Sequence, residues 1–340
     1  MSKLFITGGA GFIGSAFVRL ALDEAPDCLV TNFDALTYAG NLENLEGLDE
    51  SRHRFVRGDI TDREAVLAAL DQGTDAIINF AAESHVDRSI ASADEFLRTN
   101  ILGTQMLLDA ARDRGVSRFL QISTDEVMGS LADSNAFFTE DSPYAPNSPY
   151  AASKAAAEHM VRAAHQTFGL ETLITRCGNN YGPRQFPEKL IPLVISNALD
   201  DEPIPIYGDG LYTRDWIYVE DHCRALLKTL WHGKAGQTYN IGARNERPNI
   251  EVVKSILDAL GKSYSLIRYV KDRPGHDRRY AIDPAKVEQE LSWLPVETWE
   301  SGLRKTIEWY AEHQEWLARV RDGAYRKFYA RQYGTQVGAK

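Results

Sequence analysis

Cysteine is scarce in this chain of 340 residues, which contains only Cys28, Cys177 and Cys223. Three widely spaced cysteines cannot form the paired framework on which small secreted domains depend. The sequence also lacks a Cys-x-x-Cys pair and any cluster of histidine with cysteine, so we expect no metal site. The cysteine content therefore favours a reducing compartment, the cytoplasm.

Long apolar runs and excess basic charge are lacking too. No stretch approaches the roughly 18 apolar residues of a membrane helix, and the apolar run at residues 4–6 is too short for a signal peptide. Lys and Arg number 38 against 48 Asp and Glu, for a net charge of -10. A general nucleic-acid binder needs a basic face, so we expect neither nucleic acid nor a membrane as a partner.

Apolar runs alternate with amphipathic segments through the first half of the chain. Strands are predicted at residues 4–7, 29–34, 76–82, 117–124 and 171–176, and helices at 11–23, 63–70, 100–114 and 150–169. This alternation predicts the α/β class, with a doubly wound parallel sheet of the Rossmann type. In the less regular second half, helices are expected at residues 219–231, 249–260 and 301–318.

Two lobes are expected from this pattern. The first lobe comprises residues 1–177 plus about 213–246, and a second, smaller α/β lobe comprises residues 178–212 plus 247–330. A ligand would bind in the cleft between them. We interpret the aromatic and basic stretch at 309–333 as an amphipathic helix on the smaller lobe, rather than as a surface for nucleic acid or a protein partner.

A glycine-rich turn follows the first predicted strand. Gly8, Gly11 and Gly14 lie where the chain enters the first helix, so the backbone could approach a pyrophosphate there. Taken alone, the glycines could be a simple helix-entry turn. Asp34, however, ends the second strand 20 residues after Gly14. An acid at that place accepts hydrogen bonds from ribose hydroxyls and repels a 2′-phosphate, which predicts NAD rather than NADP.

Tyr150 and Lys154 are four residues apart on the long predicted helix and therefore share one face. A free phenol has a pKa of roughly 10 and is a poor base at neutral pH. We expect the Lys154 ammonium and a positive nicotinamide ring to lower the pKa of Tyr150, so that it can take a proton from a substrate hydroxyl. A hydroxyl at Ser123 or Thr124 would orient the substrate oxygen. The alternative to this catalytic role is that Tyr150 and Lys154 form a surface pair without function.

Together, these features resemble the extended short-chain dehydrogenase/reductase family. Two carboxyls, Asp125 and Glu126, follow the hydroxyl pair at the carboxyl end of a predicted core strand, where such sheets bind ligands. Once C4 of a hexose is a ketone, the C5 hydrogen becomes acidic. Glu126 could then act as the base at C5 while Asp125 protonates the departing 6-hydroxyl. For that role the pKa of Asp125 must be raised, by burial and by its charged neighbour.

The resemblance extends to one branch, the dTDP-glucose 4,6-dehydratases, over nearly the whole chain. It is carried by AAESHVDRSI (81–90), TNILGT (99–104), SPYAASKA (148–155), NNYGP (179–183), FPEKLIP (186–192), RDWIYVEDH (214–222), YNIG (239–242) and DRPGHDRRY (272–280). It implies conversion of dTDP-glucose to dTDP-4-keto-6-deoxyglucose and water, with a hydride taken from C4 by bound NAD and returned to C6. It also implies a homodimer formed through the helices near residues 100–114 and 150–168.

The resemblance assigns roles to particular residues. The implied catalytic set is Thr124, Asp125, Glu126, Tyr150 and Lys154. To the glycines and Asp34 it adds cofactor contacts from Phe12, Ile13, Asp59, Ile60, Ala81, Ala82, Thr99, Tyr150, Lys154 and Asn180. From its position Asp59 could hold the adenine edge together with Ile60, or it could be a plain turn residue. The implied nucleotide-sugar site is Ser84, Thr124, Asn179, Glu188, Lys189, Leu190, Pro205, Tyr207, Arg214, Asn249, Arg273 and His276.

Physical chemistry supports several substrate contacts. Arg214 and Arg273 can grip a pyrophosphate with two-pronged hydrogen bonds, and Tyr207 can pack against a base. Each residue also has a structural alternative. Arg214 could pair with the acid that follows it, His276 could be a loop histidine, and Lys189 could be a surface charge.

The chain departs from the family at one position, and three other functions are alternatives to the one that the resemblance implies. The family usually has Tyr where this chain has Met128, whose thioether cannot hydrogen-bond as a phenol does. A UDP- or GDP-hexose dehydratase is the nearest alternative. A C4 epimerase would need only Tyr150 and NAD and would leave Asp125 and Glu126 idle. A non-catalytic NAD-binding scaffold would have no need of Tyr150 with Lys154.

Overall fold

The computed structural model describes residues 2–132, 135–322 and 324–337, so residues 1, 133, 134 and 323 of the two predicted lobes lie outside it. The strands are β1 Lys3–Thr7, β2 Leu29–Asp34, β3 His53–Arg57, β4 Ala76–Asn79, β5 Arg118–Thr124, β6 Glu171–Cys177, β7 Asn179–Tyr181, β8 Ile204–Tyr207, β9 Thr213–Tyr218, β10 Thr238–Ile241, β11 Glu246–Pro248 and β12 Ile267–Val270. The helices are α1 Phe12–Glu24, α2 Arg63–Ala69, α3 Val86–Ala91, α4 Asp94–Phe96, α5 Thr104–Arg114, α6 Pro149–Phe168, α7 Leu190–Leu199, α8 Val219–His232, α9 Asn249–Leu260, α10 Ala285–Leu291, α11 Trp299–Glu312, α12 Gln314–Val320 and α13 Ala324–Val337. Short 3₁₀ turns cover Leu42–Leu45, Asp125–Met128 and Tyr264–Leu266, and a π-helical turn covers Leu97–Gly103.

A seven-stranded sheet in the order β10-β6-β5-β4-β1-β2-β3 forms the centre of the larger lobe. All of its neighbouring strands run parallel. The chain starts at β1, moves outward to β2 and β3, and then returns to β4 on the other side. Ligands bind where strand order reverses in this way. The predicted doubly wound α/β fold is therefore confirmed.

Helices cover both faces of this sheet, as its strands require. On one face Phe17 of α1 and Leu226 of α8 are fully buried in a shared cluster. On the other face Leu107 of α5 and Val161 of α6 are fully buried with residues of α2. Because both faces are covered, the strands read as continuous apolar runs rather than as alternating patterns.

The smaller lobe is built on two small sheets, β11-β9-β7 and β12-β8, with α7, α9 and α11 packed against them. Residues 213–218, which the sequence predicts to belong to the first lobe, form β9, which pairs with β7 and β11. β10, in contrast, joins the large sheet beside β6. Composition cannot reveal pairing between distant segments, and the two-lobe boundaries stay a prediction.

Two helix predictions needed correction. The predicted helix at 100–114 begins with a π-helical turn and becomes regular only at Thr104. The predicted helix at 301–318 is two helices, because α11 ends before His313 and α12 begins after it. The stretch at 309–333 therefore spans parts of three helices, not one. Its last helix, α13, packs against β8 and β12 of the smaller lobe.

Candidate active site

The glycine turn after β1 is closely packed against backbone atoms, both of the turn itself and of the segment after β4. Gly8 has φ +70°, and a Cβ there would lie 2.6 Å from the Ala81 nitrogen. A Cβ on Gly14 would lie 2.2 Å from the Gly8 carbonyl oxygen. The Asp34 carboxylate accepts hydrogen bonds from Ala10 N–H at 2.9 Å and from Leu36 N–H at 2.8 Å. Asp34 thus anchors the glycine turn, and burial raises the pKa of its carboxyl.

One continuous cavity runs from this turn to the carboxyl ends of the central strands. Every residue predicted to contact the cofactor lines it: Gly8, Gly11, Phe12, Ile13, Gly14, Asp34, Asp59, Ile60, Ala81, Ala82, Thr99, Tyr150, Lys154 and Asn180. Gly8, Gly11 and Gly14 line the cavity without side chains, and α1 begins directly after Gly11. These residues fit a bound dinucleotide. The Asp59 carboxylate also accepts the N–H and hydroxyl of Thr61, as a turn residue would.

Tyr150 and Lys154 enter the cavity from the first turns of α6. The Ser148 side chain caps this helix by accepting from Ala151 N–H at 3.1 Å, and Pro149 occupies its first turn. The Lys154 ammonium donates to the Ile122 carbonyl at 2.6 Å. Burial lowers the pKa of Lys154 to about 8.

The pKa of Tyr150 differs from the sequence-based expectation. In the chain alone, burial raises it well above its usual value, and the nearby Glu126 and Asp125 carboxyls raise it further, while a hydrogen bond from Thr124 opposes them. The expected lowering therefore does not come from the protein by itself. The positive charge of a bound nicotinamide ring would have to supply it.

The structure separates the two candidate hydroxyls at the end of β5. Both line the cavity, but Ser123 donates to the buried Glu158 carboxylate at 2.5 Å. Thr124 accepts from Glu126 N–H and donates to Asp125 Oδ1, both at 3.3 Å. Thr124 is therefore the hydroxyl that contacts the carboxyl pair.

The two adjacent carboxyls have different surroundings. Asp125 is 2% exposed, and burial, followed by the charge of Glu126, raises its pKa well above the usual range. Burial also raises the pKa of Glu126, but three cations oppose that rise: Arg273, Lys189 and Arg214. Burial thus raises the pKa of both carboxyls, but only Glu126 has several cations that favour its ionised form, so the surroundings distinguish the two groups in the direction that an acid and a base require.

Four further predicted substrate residues line the same cavity: Ser84, Asn179, Glu188 and Lys189. The Glu188 carboxylate accepts from Tyr38 O–H at 2.8 Å and from Arg88 Nε at 3.3 Å. Lys189 donates to the Ser84 carbonyl at 2.9 Å. Lys189 is thus half-buried and hydrogen-bonded in the cavity wall, which favours the predicted site role over a free surface charge.

The other predicted substrate residues do not line this cavity: Leu190, Pro205, Tyr207, Arg214, Asn249, Arg273 and His276. Several still lie close together beyond Glu126. Asp87 accepts from Tyr207 O–H at 2.9 Å and from Arg273 Nη1 at 3.1 Å. Among the described residues, the buried Arg273 Nε and Asn249 Oδ1 have no hydrogen-bond partner. Unpaired buried polar atoms are costly, so a polar ligand would stabilise them.

Two structural alternatives are excluded by these contacts. Arg214 donates to the backbone carbonyls of Thr213 and Asp277, whereas the Asp215 carboxylate accepts backbone N–H groups of residues 243 and 245. Arg214 therefore does not pair with the acid that follows it. His276 is stacked on Tyr212 with ring centroids 3.6 Å apart, and its side chain is 5% exposed, so it is not a free loop histidine.

Comparison with known proteins agrees with this geometry. Residues 5–306 match the GDP-mannose 4,6 dehydratase family. A dTDP-glucose 4,6-dehydratase of Neisseria meningitidis is 52% identical over 96% of this chain and 98% of its own. The chain belongs to the dTDP-glucose 4,6-dehydratase family.

Solved structures agree with this membership. A dTDP-glucose 4,6-dehydratase from Streptomyces venezuelae, crystallised with NAD, superposes with a TM-score of 0.91 at 50% identity, covering 94% of this chain and 99% of that one. A UDP-glucose 4-epimerase from Thermotoga maritima superposes with a TM-score of 0.85 at 28% identity, covering 92% and 99%. The fold is therefore shared by dehydratases and epimerases, and the side chains must distinguish them.

Sequence reasoning missed five residues around the site of this family member: Tyr38, Asp87, Arg88, Glu158 and Arg176. Glu158 continues the four-residue spacing of Tyr150 and Lys154 on α6, a signal that was available. Arg176 is a charge near the end of a predicted core strand, where it must find a buried partner. For the other three, nothing in the sequence indicated their contacts.

Met128, which stands where the family usually has Tyr, is 3% exposed. Its sulfur lies 3.5 Å from Arg176 Nη1, and its side chain packs with Val127 and Phe138.

Across the described ranges of the chain, no helix is both long and apolar enough to cross a bilayer. Nor do His, Cys, Asp and Glu side chains of the described residues gather in a group that could hold a metal ion.

Proposed function

We propose that this chain is an NAD-dependent hydro-lyase that converts dTDP-glucose to dTDP-4-keto-6-deoxyglucose and water. The observation that carries the proposal is the pair Asp125 and Glu126, which faces the same cavity as Tyr150, Lys154 and the glycine turn. An epimerase needs only Tyr150, Lys154 and the glycine turn. The high identity to dTDP-glucose 4,6-dehydratases over almost the whole chain supports the thymidine nucleotide.

Bound NAD supplies a hydride acceptor at C4 and later a hydride donor at C6. Tyr150 takes the proton of the 4-hydroxyl, and the Lys154 ammonium stabilises the resulting phenolate. Thr124 orients the 4-oxygen from the end of β5. Because Tyr150 is only 8% exposed and Lys154 only 4%, water competes little with these contacts.

The two carboxyls then divide the elimination between them. Glu126, whose charge is supported by Arg273, Lys189 and Arg214, removes the proton from C5. Asp125, whose buried carboxyl favours the protonated form, gives its proton to the leaving 6-hydroxyl. Elimination leaves a double bond between C5 and C6. Return of the hydride to C6 and of a proton to C5 completes the product, so one water molecule is lost without an external redox partner.

The test is incubation of the NAD-loaded enzyme with dTDP-, UDP- and GDP-hexoses, followed by mass spectrometry. Loss of water from dTDP-glucose is the expected result. Loss of water from a UDP or GDP sugar instead would change the assigned nucleotide, and a galactose product would identify an epimerase. Deuterium at C4 of the substrate should reappear at C6, and its loss to solvent would contradict the proposed hydride return.

We also propose that the enzyme is a cytoplasmic homodimer. Leu102, in the turn before α5, and Phe168, at the end of α6, are each 54% exposed. Both belong to the helices that the family resemblance assigns to the subunit contact, and large exposed apolar side chains favour such a contact. Sedimentation should show a dimer, and Leu102→Glu should shift it towards monomer.

Three buried free cysteines support the proposed cytoplasmic location.

A further inference from the structure

Tyr150 and Lys154 share their face of α6 with a third ionisable residue, Glu158, four residues further along the helix. The Glu158 side chain is 0% exposed. A carboxylate without access to water is stable only when donors surround it. The contacts of Glu158 therefore show what the fold uses it for.

Three residues donate to the Glu158 carboxylate. Arg176 donates through Nε at 3.0 Å and through Nη2 at 2.8 Å, both to Oε2. Ser123 donates at 2.5 Å and Tyr144 at 2.9 Å. The Arg176 side chain is itself 2% exposed, so this is a fully buried, two-pronged ion pair.

The donors connect Glu158 to every element that bears a candidate catalytic residue. Ser123 directly precedes Thr124 at the end of β5. Arg176 lies beside Ser123 on the neighbouring strand β6. Arg176 Nη1 also reaches the sulfur of Met128, the last residue of the turn that begins with Asp125. One carboxylate thus joins α6, β5, β6 and the turn that carries the acid and base.

We propose that Glu158 is a positioning residue for the dehydration: its carboxylate holds α6, and with it Tyr150 and Lys154, against β5 and β6. This inference rests on the proposed function. It adds a residue that touches neither sugar nor cofactor but acts through Lys154 and Thr124.

The charges around Lys154 support this role. Burial lowers the pKa of Lys154 to about 8, and Glu158 and then Cys177 on β6 are the groups that raise it. Across the cavity, Asp125 and Glu126 act on Tyr150 and Cys177. Only the ammonium form stabilises a Tyr150 phenolate. Neutralising Glu158 would also leave the positive charge of Arg176 unpaired, so the pKa of Lys154 should fall further.

The experiment compares Glu158→Gln, which removes the charge, with Glu158→Asp, which keeps the charge but shortens its reach. Steady-state kcat and KM for dTDP-glucose are measured with the NAD-loaded enzymes across the alkaline range. The Lys154 titration is followed separately in the substrate-free holoenzyme by carbon-13 NMR of labelled lysine, assigned with Lys154→Met. Glu171→Gln is the matched control, because Glu171 pairs with Arg118 at the opposite, exposed ends of β5 and β6.

In Glu158→Gln, the alkaline limb of kcat and the Lys154 titration should both move to lower pH by about one unit, a tenfold change in proton concentration. Glu158→Asp should keep the titration but lower kcat by about tenfold or more, with KM nearly unchanged. Glu171→Gln should match the wild type.

An unmoved Lys154 titration in Glu158→Gln, or wild-type kcat in Glu158→Asp, would overturn the inference. If Glu158→Gln does not fold, Glu158→Asp decides alone. If the wild type itself does not dehydrate dTDP-glucose, the proposed function fails, and the NMR titration still tests the effect of Glu158 on Lys154.

Discussion

The Tyr38 hydroxyl donates to the Glu188 carboxylate at 2.8 Å, across 150 residues of sequence. Tyr38 follows β2 between Thr37 and Ala39, which line the cavity, whereas Glu188 lines it from two residues before α7. The Arg88 guanidinium lies 3.8 Å above the Tyr38 ring and also donates to Glu188. This contact therefore ties the wall of the cofactor site to the wall of the sugar site.

Tyr38→Phe should lower the free energy of unfolding by about 2 kcal/mol, since it removes a hydrogen bond to a buried charged group. It should also raise KM for dTDP-glucose, because Glu188 loses one of the groups that orient it. Denaturant unfolding and steady-state kinetics measure the two effects. Tyr264→Phe is the matched control, because Tyr264 donates to Asp258 at the exposed surface and should show neither change. Equal behaviour of the two variants would contradict the prediction.

Glu126→Gln should still allow substrate to reduce the bound NAD, which is visible by absorbance, because Tyr150 and Lys154 are intact. Formation of the 4-keto-6-deoxy product should fall by about 10²- to 10⁴-fold, the usual contribution of a general base. Rapid-mixing absorbance and mass spectrometry follow the two steps separately. Product formation at the wild-type rate would show that another group removes the C5 proton.

Asp125→Asn should stop dehydration yet stabilise the fold at neutral pH. The pKa of Asp125 is raised in the folded state, so the folded state binds the proton more tightly than the unfolded state. The wild type consequently loses stability as pH rises above the unfolded pKa of about 3.9. Asparagine cannot titrate, so the stability difference should grow with pH. Thermal unfolding at several pH values measures it, with the exposed Asp23→Asn as control. A less stable variant at neutral pH would contradict this sign.

Gly14→Ala should lose bound NAD and destabilise the fold, because its Cβ would lie 2.2 Å from the Gly8 carbonyl oxygen and the backbone there has no room to move. Overpacking of this kind costs about 1–3 kcal/mol. At Gly11 an added Cβ would meet only the Gly8 oxygen, at 3.3 Å. Gly11→Ala should therefore fold with a smaller loss of stability. NAD released from the purified proteins and thermal unfolding test the contrast, and equal stability of the two variants would refute it.

Local patterns were enough for several elements of both lobes. The strand Leu29–Asp34 and the helix Asn249–Leu260 have the predicted bounds, because each is a periodic run closed by turn or cap residues. The whole predicted cofactor set also lines one cavity, since parallel strands bring their carboxyl ends to one edge. Strands of three or four residues, such as β7 and β8, leave too short a pattern to predict from sequence.

The sequence by itself determined the parallel α/β sheet, the glycine turn with Asp34, and the Tyr150–Lys154 and Asp125–Glu126 pairs, because each depends on neighbours within one or two elements. Only the tertiary structure decided which hydroxyl contacts the carboxyl pair, which partner Arg214 takes, and that Glu158 is buried against Arg176. Those choices depend on burial and on contacts between distant segments. Desolvation by the whole fold also raises the pKa of Tyr150 and lowers that of Lys154, which residue spacing alone cannot reveal.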